Sequence, residues 1–136
     1  SSGLGILGSP ALGGHLGYMG LAFFATSVAN ADPRYKQALV DYAASDIVYT
    51  NLFTGVHGNY LRPSIEAAGL DPENLPPSDP SKMQFGSGGS NKSKAWKDIW
   101  GCGQGINAIK EVQSTSDLVN RLKVEYKGAQ ERVLAA

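Results

Sequence analysis

Apolar residues recur at helical spacing in two places. Tyr35, Ala38, Leu39, Tyr42 and Ala43 follow i, i+3, i+4, i+7 and i+8. Asp32 precedes them as a cap, with Pro33 at the first helical position. Near the C-terminus, Ser114 and Asp117 form a capping box ahead of Leu118, Val119, Leu122 and Tyr126. The charged side of that helix reads as an ordinary solvated surface. Between the two helices, Ile47-Val48-Tyr49-Thr50 is β-rich and predicts a short strand. The run Thr54-Gly55-Val56-His57-Gly58-Asn59 reads as a turn. A short helix is expected over 62–68, capped by Gly69.

Two stretches are harder to place. Glycine fills positions 3, 5, 8, 13, 14, 17 and 20 among apolar neighbours. That much glycine disfavours a helix. The expectation is loops around short buried strands, with 16–19 as the best strand. Residues 71–94 are polar. They carry Pro72, Pro76, Pro77 and Pro80, then Gly86-Ser87-Gly88-Gly89-Ser90, and read as a linker or long surface loop. Trp96 and Trp100 then restart a packed segment.

At 136 residues the chain has the length of one domain. Twelve basic and twelve acidic side chains balance, so no bulk charge draws nucleic acid or an acidic membrane surface. The single cysteine, Cys102, excludes an intrachain disulfide and fits a reducing, cytoplasmic setting. No apolar run reaches the ~20 residues that cross a bilayer. No basic, apolar leader is visible, and the start at Ser1 suggests processing or a fragment.

The candidate chemistry centres on the loop Trp100-Gly101-Cys102-Gly103-Gln104-Gly105. Its alternating glycines let backbone approach a bound group, and amides at a helix start favour anions. Cys102 has no base or cation beside it in sequence, as a nucleophile would need. His57 lies in a glycine-flanked turn and reads as solvated or structural. No Cys/His spacing suggests zinc. Gly3-Leu4-Gly5-Ile6-Leu7-Gly8 spells G-x-G-x-x-G, but no strand precedes it and no acid follows at ~20 residues, so a dinucleotide site is rejected.

Taken together, several runs resemble the C-terminal part of the nitronate monooxygenases, formerly 2-nitropropane dioxygenases. They are Asn30-Ala31-Asp32-Pro33-Arg34-Tyr35-Lys36; then Asp46-Ile47-Val48-Tyr49-Thr50-Asn51-Leu52-Phe53-Thr54-Gly55-Val56-His57-Gly58-Asn59-Tyr60-Leu61-Arg62; then Ala68-Gly69-Leu70-Asp71-Pro72; and Ala95-Trp96-Lys97-Asp98-Ile99-Trp100-Gly101-Cys102-Gly103-Gln104-Gly105. The resemblance covers about residues 18–125 and thins over 1–17. It implies an α/β fold: the C-terminal part of an FMN-binding (β/α)8 TIM barrel plus a mostly helical C-terminal extension. Within it, 1–70 would hold the last barrel strand and following helices, 71–94 the loop, and 95–136 the flavin-contacting turn and last helix.

The resemblance also implies a cofactor site. Cys102, Gly103, Gln104 and Gly105 correspond to a turn against the flavin. Ser2 and Gly3 remain from a Ser-Gly-Gly phosphate turn in which Leu4 replaces the second glycine. Gly20 and Leu21 stand in a second phosphate turn, where Leu21 and Ala22 replace a threonine and an arginine. An apolar Leu21 cannot replace a hydroxyl hydrogen bond to a charged group, a contact worth ~1.5–3 kcal/mol. His15 matches the family's catalytic Gly-Gly-His by letter only. It follows the Ser-Gly turn instead of preceding it, so the catalytic histidine belongs upstream and no catalytic residue is assigned in this chain. The helix between Gly5 and Ala11 is shortened by several residues relative to the family.

The implied reaction oxidises a small alkyl nitronate with O2 to a carbonyl compound and nitrite, with FMN as cofactor. No nucleic acid, membrane or metal partner is expected. A whole barrel needs ~250 residues, so the isolated chain is expected to be inactive. Two alternatives remain. One is a related FMN-dependent enoyl reductase-like barrel. The other is a cofactor-free α/β module whose exposed strand edges are covered in a homo-oligomer or by a partner chain.

Overall fold

The computed structural model describes residues 2–79 and 97–136. Ser1, Pro80, the run Gly86-Ser87-Gly88-Gly89-Ser90 and Trp96 lie outside the described residues. The chain divides into two compact units. One joins Ser1–Tyr42 to Gly105–Ala136, and the other is Ala43–Gln104.

In the first unit, α1 spans Gly3–Ala11, α2 Leu21–Phe24, α3 Pro33–Asp41 and α5 Thr115–Leu134. Helix α5 starts as its sequence dictates. The Ser114 hydroxyl accepts from the Asp117 amide at 3.1 Å and donates to the Asp117 carboxylate at 2.6 Å. Its apolar face delivers Leu118 and Leu122 onto Ala22 of α2, with Ile6, Met19 and Phe23 packed against them. Burying Leu118 fully stabilises by about 1.5–3 kcal/mol. Helix α3 is capped by Asp32, whose carboxylate accepts from the Arg34 amide at 2.8 Å, and Pro33 opens it. The buried Lys36 ammonium donates to the Ser27 carbonyl at 3.2 Å, and the Ser27 amide donates to the Gln113 carbonyl at 2.9 Å.

Two expectations fail in this unit. Residues 3–11 form a helix, as the resemblance implies between Gly5 and Ala11, not the loops and strands that their glycine content predicts. Ser2 caps it by accepting from the Gly5 amide at 3.2 Å, and Gly3 lets it lie directly on α5. Long-range packing therefore overrides the low helix propensity of three glycines. Residues 16–19 form no strand. A strand needs a ladder partner, and Leu16 and Tyr18 stand fully exposed.

In the second unit, β1 (Ile47–Thr50) pairs antiparallel with β2 (Gly58–Leu61). Leu61 faces Ile47 and Gly58 faces Thr50. The turn between them is 51–57. The strand thus begins two residues inside the expected turn, because Gly58 and Asn59 join the ladder. Helix α4 (Arg62–Ala67) follows at once, and Gly69 closes it at φ +78°, a conformation that favours glycine. Residues 70–79 continue without helix or strand. They are held by an Arg62–Glu73 ion pair at 2.6 Å and by the Ser78 amide donating to Asn51 Oδ1 at 3.0 Å. Leu61 and Ile65 are fully buried and centre this unit's core, beside Ile99 and Cys102 among its buried residues.

Among the described residues the only sheet is this two-stranded one, so a closed barrel is not displayed. No helix of the described residues is long and apolar enough to cross a membrane.

Candidate functional site

The glycine-rich loop is anchored by β2. The Leu61 amide donates to the Trp100 carbonyl at 2.8 Å, and the Cys102 amide donates to the Asn59 carbonyl at 3.0 Å. Gly101 bridges Tyr60 in antiparallel register, so 100–102 lies alongside β2. Ser64 locks the start of the loop. Its buried hydroxyl donates to the Leu61 carbonyl at 2.7 Å and accepts from the Trp100 amide at 3.0 Å. The Phe53 ring meets the edge of Tyr60 at 5.0 Å between centroids. Sequence reasoning identified the loop but missed Asn59 and Ser64, because their partners lie far along the chain.

The loop's own side chains divide sharply. The Cys102 side chain is buried, its thiol donates weakly to the Gly103 carbonyl at 3.5 Å, and burial pushes the thiol up to about 11. It therefore stays protonated at neutral pH and is no nucleophile. Gly103 is exposed, and a Cβ built there meets no atom within 4 Å. Gln104 is exposed at the start of a 3-10 turn, Gln104–Ala108. Gly105, also exposed, continues that turn into the other unit. The stretch 103–105 thus presents open backbone and one amide side chain to whatever approaches it.

The two phosphate-side positions lie in the first unit. Ser2 and Gly3 form the N-terminal end of α1. The Gly3 amide is already used, donating to Glu125 Oε2 at 2.7 Å. A Cβ at Gly3 would come within 2.4 Å of the Leu122 carbonyl oxygen and the Tyr126 amide nitrogen. The other carboxylate oxygen, Oε1, accepts from Arg121 Nη1 at 2.7 Å. Gly20 caps α2 through its carbonyl, which accepts from the Phe23 and Phe24 amides at 3.0 and 3.1 Å. Leu21 opens α2 as an apolar first residue. Sequence reasoning missed Arg121 and Glu125, although their i, i+4 spacing on a predicted helix was legible.

Tested against a flavin, the two sets of residues differ. The turn at 103–104 is exposed, and a built Cβ at Gly103 meets no atom within 4 Å. The Ser2–Gly3 turn does not fit a phosphate: its amide faces a carboxylate, and its glycine face is filled by α5. The donor set at Gly20–Leu21 brings no side-chain hydroxyl or cation.

Neither histidine forms a catalytic pair with a neighbour. His15 is exposed in a bend. His57, also exposed, stacks on Tyr49 with centroids 4.9 Å apart and rings 24° from parallel. No cluster of three metal-ligating side chains occurs among the described residues.

Comparison with known proteins gives a fold and no family. No family model and no curated protein matches the chain. Solved structures do. A point mutant of FabK from Thermotoga maritima is similar at 21% identity over 98% of this chain, with a TM-score of 0.71. FabK from the same organism is similar at 18% identity over 98% of this chain, with a TM-score of 0.65. The chain spans 41% and 44% of those two chains. Its fold is therefore that of rather less than half of a FabK chain, compatible with a portion of a TIM barrel.

Proposed function

We propose that the chain is the C-terminal portion of an FMN-dependent barrel oxidoreductase of the nitronate monooxygenase type. One observation carries the reading. Residues 59–61 and 100–102, from the two longest runs behind the family resemblance, are far apart in sequence yet hydrogen-bond to each other in antiparallel register. They form one structural piece, in a fold similar to FabK over nearly the whole chain. Gly103 and Gln104 would border the flavin ring. When bound, FMN supplies the redox chemistry. The chain's own part is to hold that border rigid through β2 and Ser64. The substrate on this reading is a small alkyl nitronate, with O2 as oxidant, and the setting is cytoplasmic.

A second reading, an FMN-dependent enoyl reductase-like barrel, has comparable support, because the structural likeness is to FabK. One assay separates the two. The chain is expressed together with the coding sequence upstream of it, loaded with FMN, and offered an alkyl nitronate with O2 or an enoyl thioester with a reduced nicotinamide. Nitrite release supports the first reading, and enoyl reduction the second. A product that stays colourless with added FMN overturns both. The 136-residue chain alone is expected to release no nitrite, and measurable turnover by it would refute the fragment reading.

A further inference from the structure

We infer that Glu125 acts as a built-in anion that closes the N-terminal end of α1 to phosphate. The inference takes its meaning from the flavin-barrel reading, but its test does not depend on it.

Two contacts converge on this carboxylate. Its Oε2 takes the Gly3 amide at 2.7 Å, the position where an anion on a helix N-terminus would sit. Its Oε1 takes the Arg121 guanidinium at 2.7 Å. Arg121 Nε is buried and has no hydrogen-bond partner among the described residues. A backbone N–H and a guanidinium N–H are the parts of a small-anion seat. Here both parts converge on a side chain of the same protein. An incoming phosphate would meet a carboxylate already holding both donors, and like charge adds to the exclusion. The same contact clamps α1 onto α5. It stands where the Ser-Gly-Gly turn of the resemblance would spend its amides on cofactor.

The test follows the Gly3 backbone amide by 1H–15N NMR while inorganic phosphate is added at constant ionic strength. In the wild-type chain the Gly3 signal is expected to stay fixed through millimolar phosphate. In Glu125→Ala it is expected to move saturably, because the amide and Arg121 are both released. Arg121→Ala combined with Glu125→Ala is expected to weaken that response at least tenfold. A saturable wild-type shift, a folded E125A that ignores phosphate, or a double variant that binds as well as E125A overturns the proposal. If E125A loses its folded spectrum, the isosteric Glu125→Gln is read instead. A neutral amide oxygen holds these donors less strongly than a carboxylate does. A saturable shift in E125Q then supports the closure, and none overturns it. A colourless chain in the flavin assay, by contrast, speaks only to the proposed function.

Discussion

At Gly3 the space that a side chain would fill holds the backbone of α5, with two of its atoms within 2.4 Å of a built Cβ. At Gly103 the same construction meets nothing within 4 Å. Both glycines belong to turns that the family resemblance assigns to one cofactor, and both read alike as letters. The structure gives them opposite work. Gly3 admits another part of the same protein, so its turn is consumed by internal packing. Gly103 leaves backbone open beside a strand pairing that holds it in place. A glycine-rich turn is thus a permission for close approach, and the rest of the fold decides whether the approaching group is ligand or protein.

Gly3→Ala is the hardest test of that contrast and has the largest expected effect. The clashing atoms are backbone, which cannot swing aside like the end of a side chain. Overpacking of this kind costs about 1–3 kcal/mol, occasionally more. Chemical denaturation should show the midpoint fall accordingly. The Gly3–Glu125 contact should be lost as α1 lifts from α5. An unchanged midpoint would mean that α1 is not seated on α5 as described.

Ser64→Ala probes the other region with a smaller effect. The hydroxyl is buried and serves both the Leu61 carbonyl and the Trp100 amide. Removing it withdraws one buried donor and one buried acceptor, for a loss of about 1–3 kcal/mol. No atoms are forced together, so the lower part of that range is expected. The readout that separates a local role from general damage is hydrogen exchange. The Leu61 and Cys102 amides, which pair β2 with 100–102, should exchange faster, while α5 amides should not change. Equal loosening of α5 would refute the local role.

What the sequence reveals follows the range of the forces involved. Helix α3 with Asp32 and Pro33, helix α4 with Gly69, and helix α5 with Ser114 are all legible. Each is fixed by side chains within a few residues of its ends. Strand β1 is legible for the same reason. Helix α1 is legible through the resemblance but not from its own residues, because the contact that makes Gly3 useful comes from residues 122–126. The strand expected at 16–19 fails for the mirror-image reason: periodicity shows an apolar run but not whether a ladder partner exists. The candidate site divides likewise. The glycine loop stands out in the sequence. Its pairing with Asn59 and Leu61 and the occupation of the Gly3 amide by Glu125 depend on contacts tens of residues away or more.

Gly103→Ala carries the smallest expected effect and sharpens the comparison most. Gly103 is not among the glycines with positive φ, and open space surrounds its missing side chain. Alanine at such a position narrows the unfolded ensemble without straining the native one, which stabilises by about 0.4–1 kcal/mol. The predicted sign is therefore opposite to that of Gly3→Ala. If both substitutions destabilise to a similar degree, the turn at 103 is packed against something and its openness as a flavin border fails. If G103A is neutral or stabilising while G3A is damaging, only one of the two turns has kept its glycine free for a ligand. In that case a methyl group at 103 should still weaken flavin binding in the flavin-loaded longer polypeptide, because on the proposed reading it would stand where the ring lies close to backbone. Stability and binding would then change in opposite directions at a single position, which a purely structural glycine cannot produce.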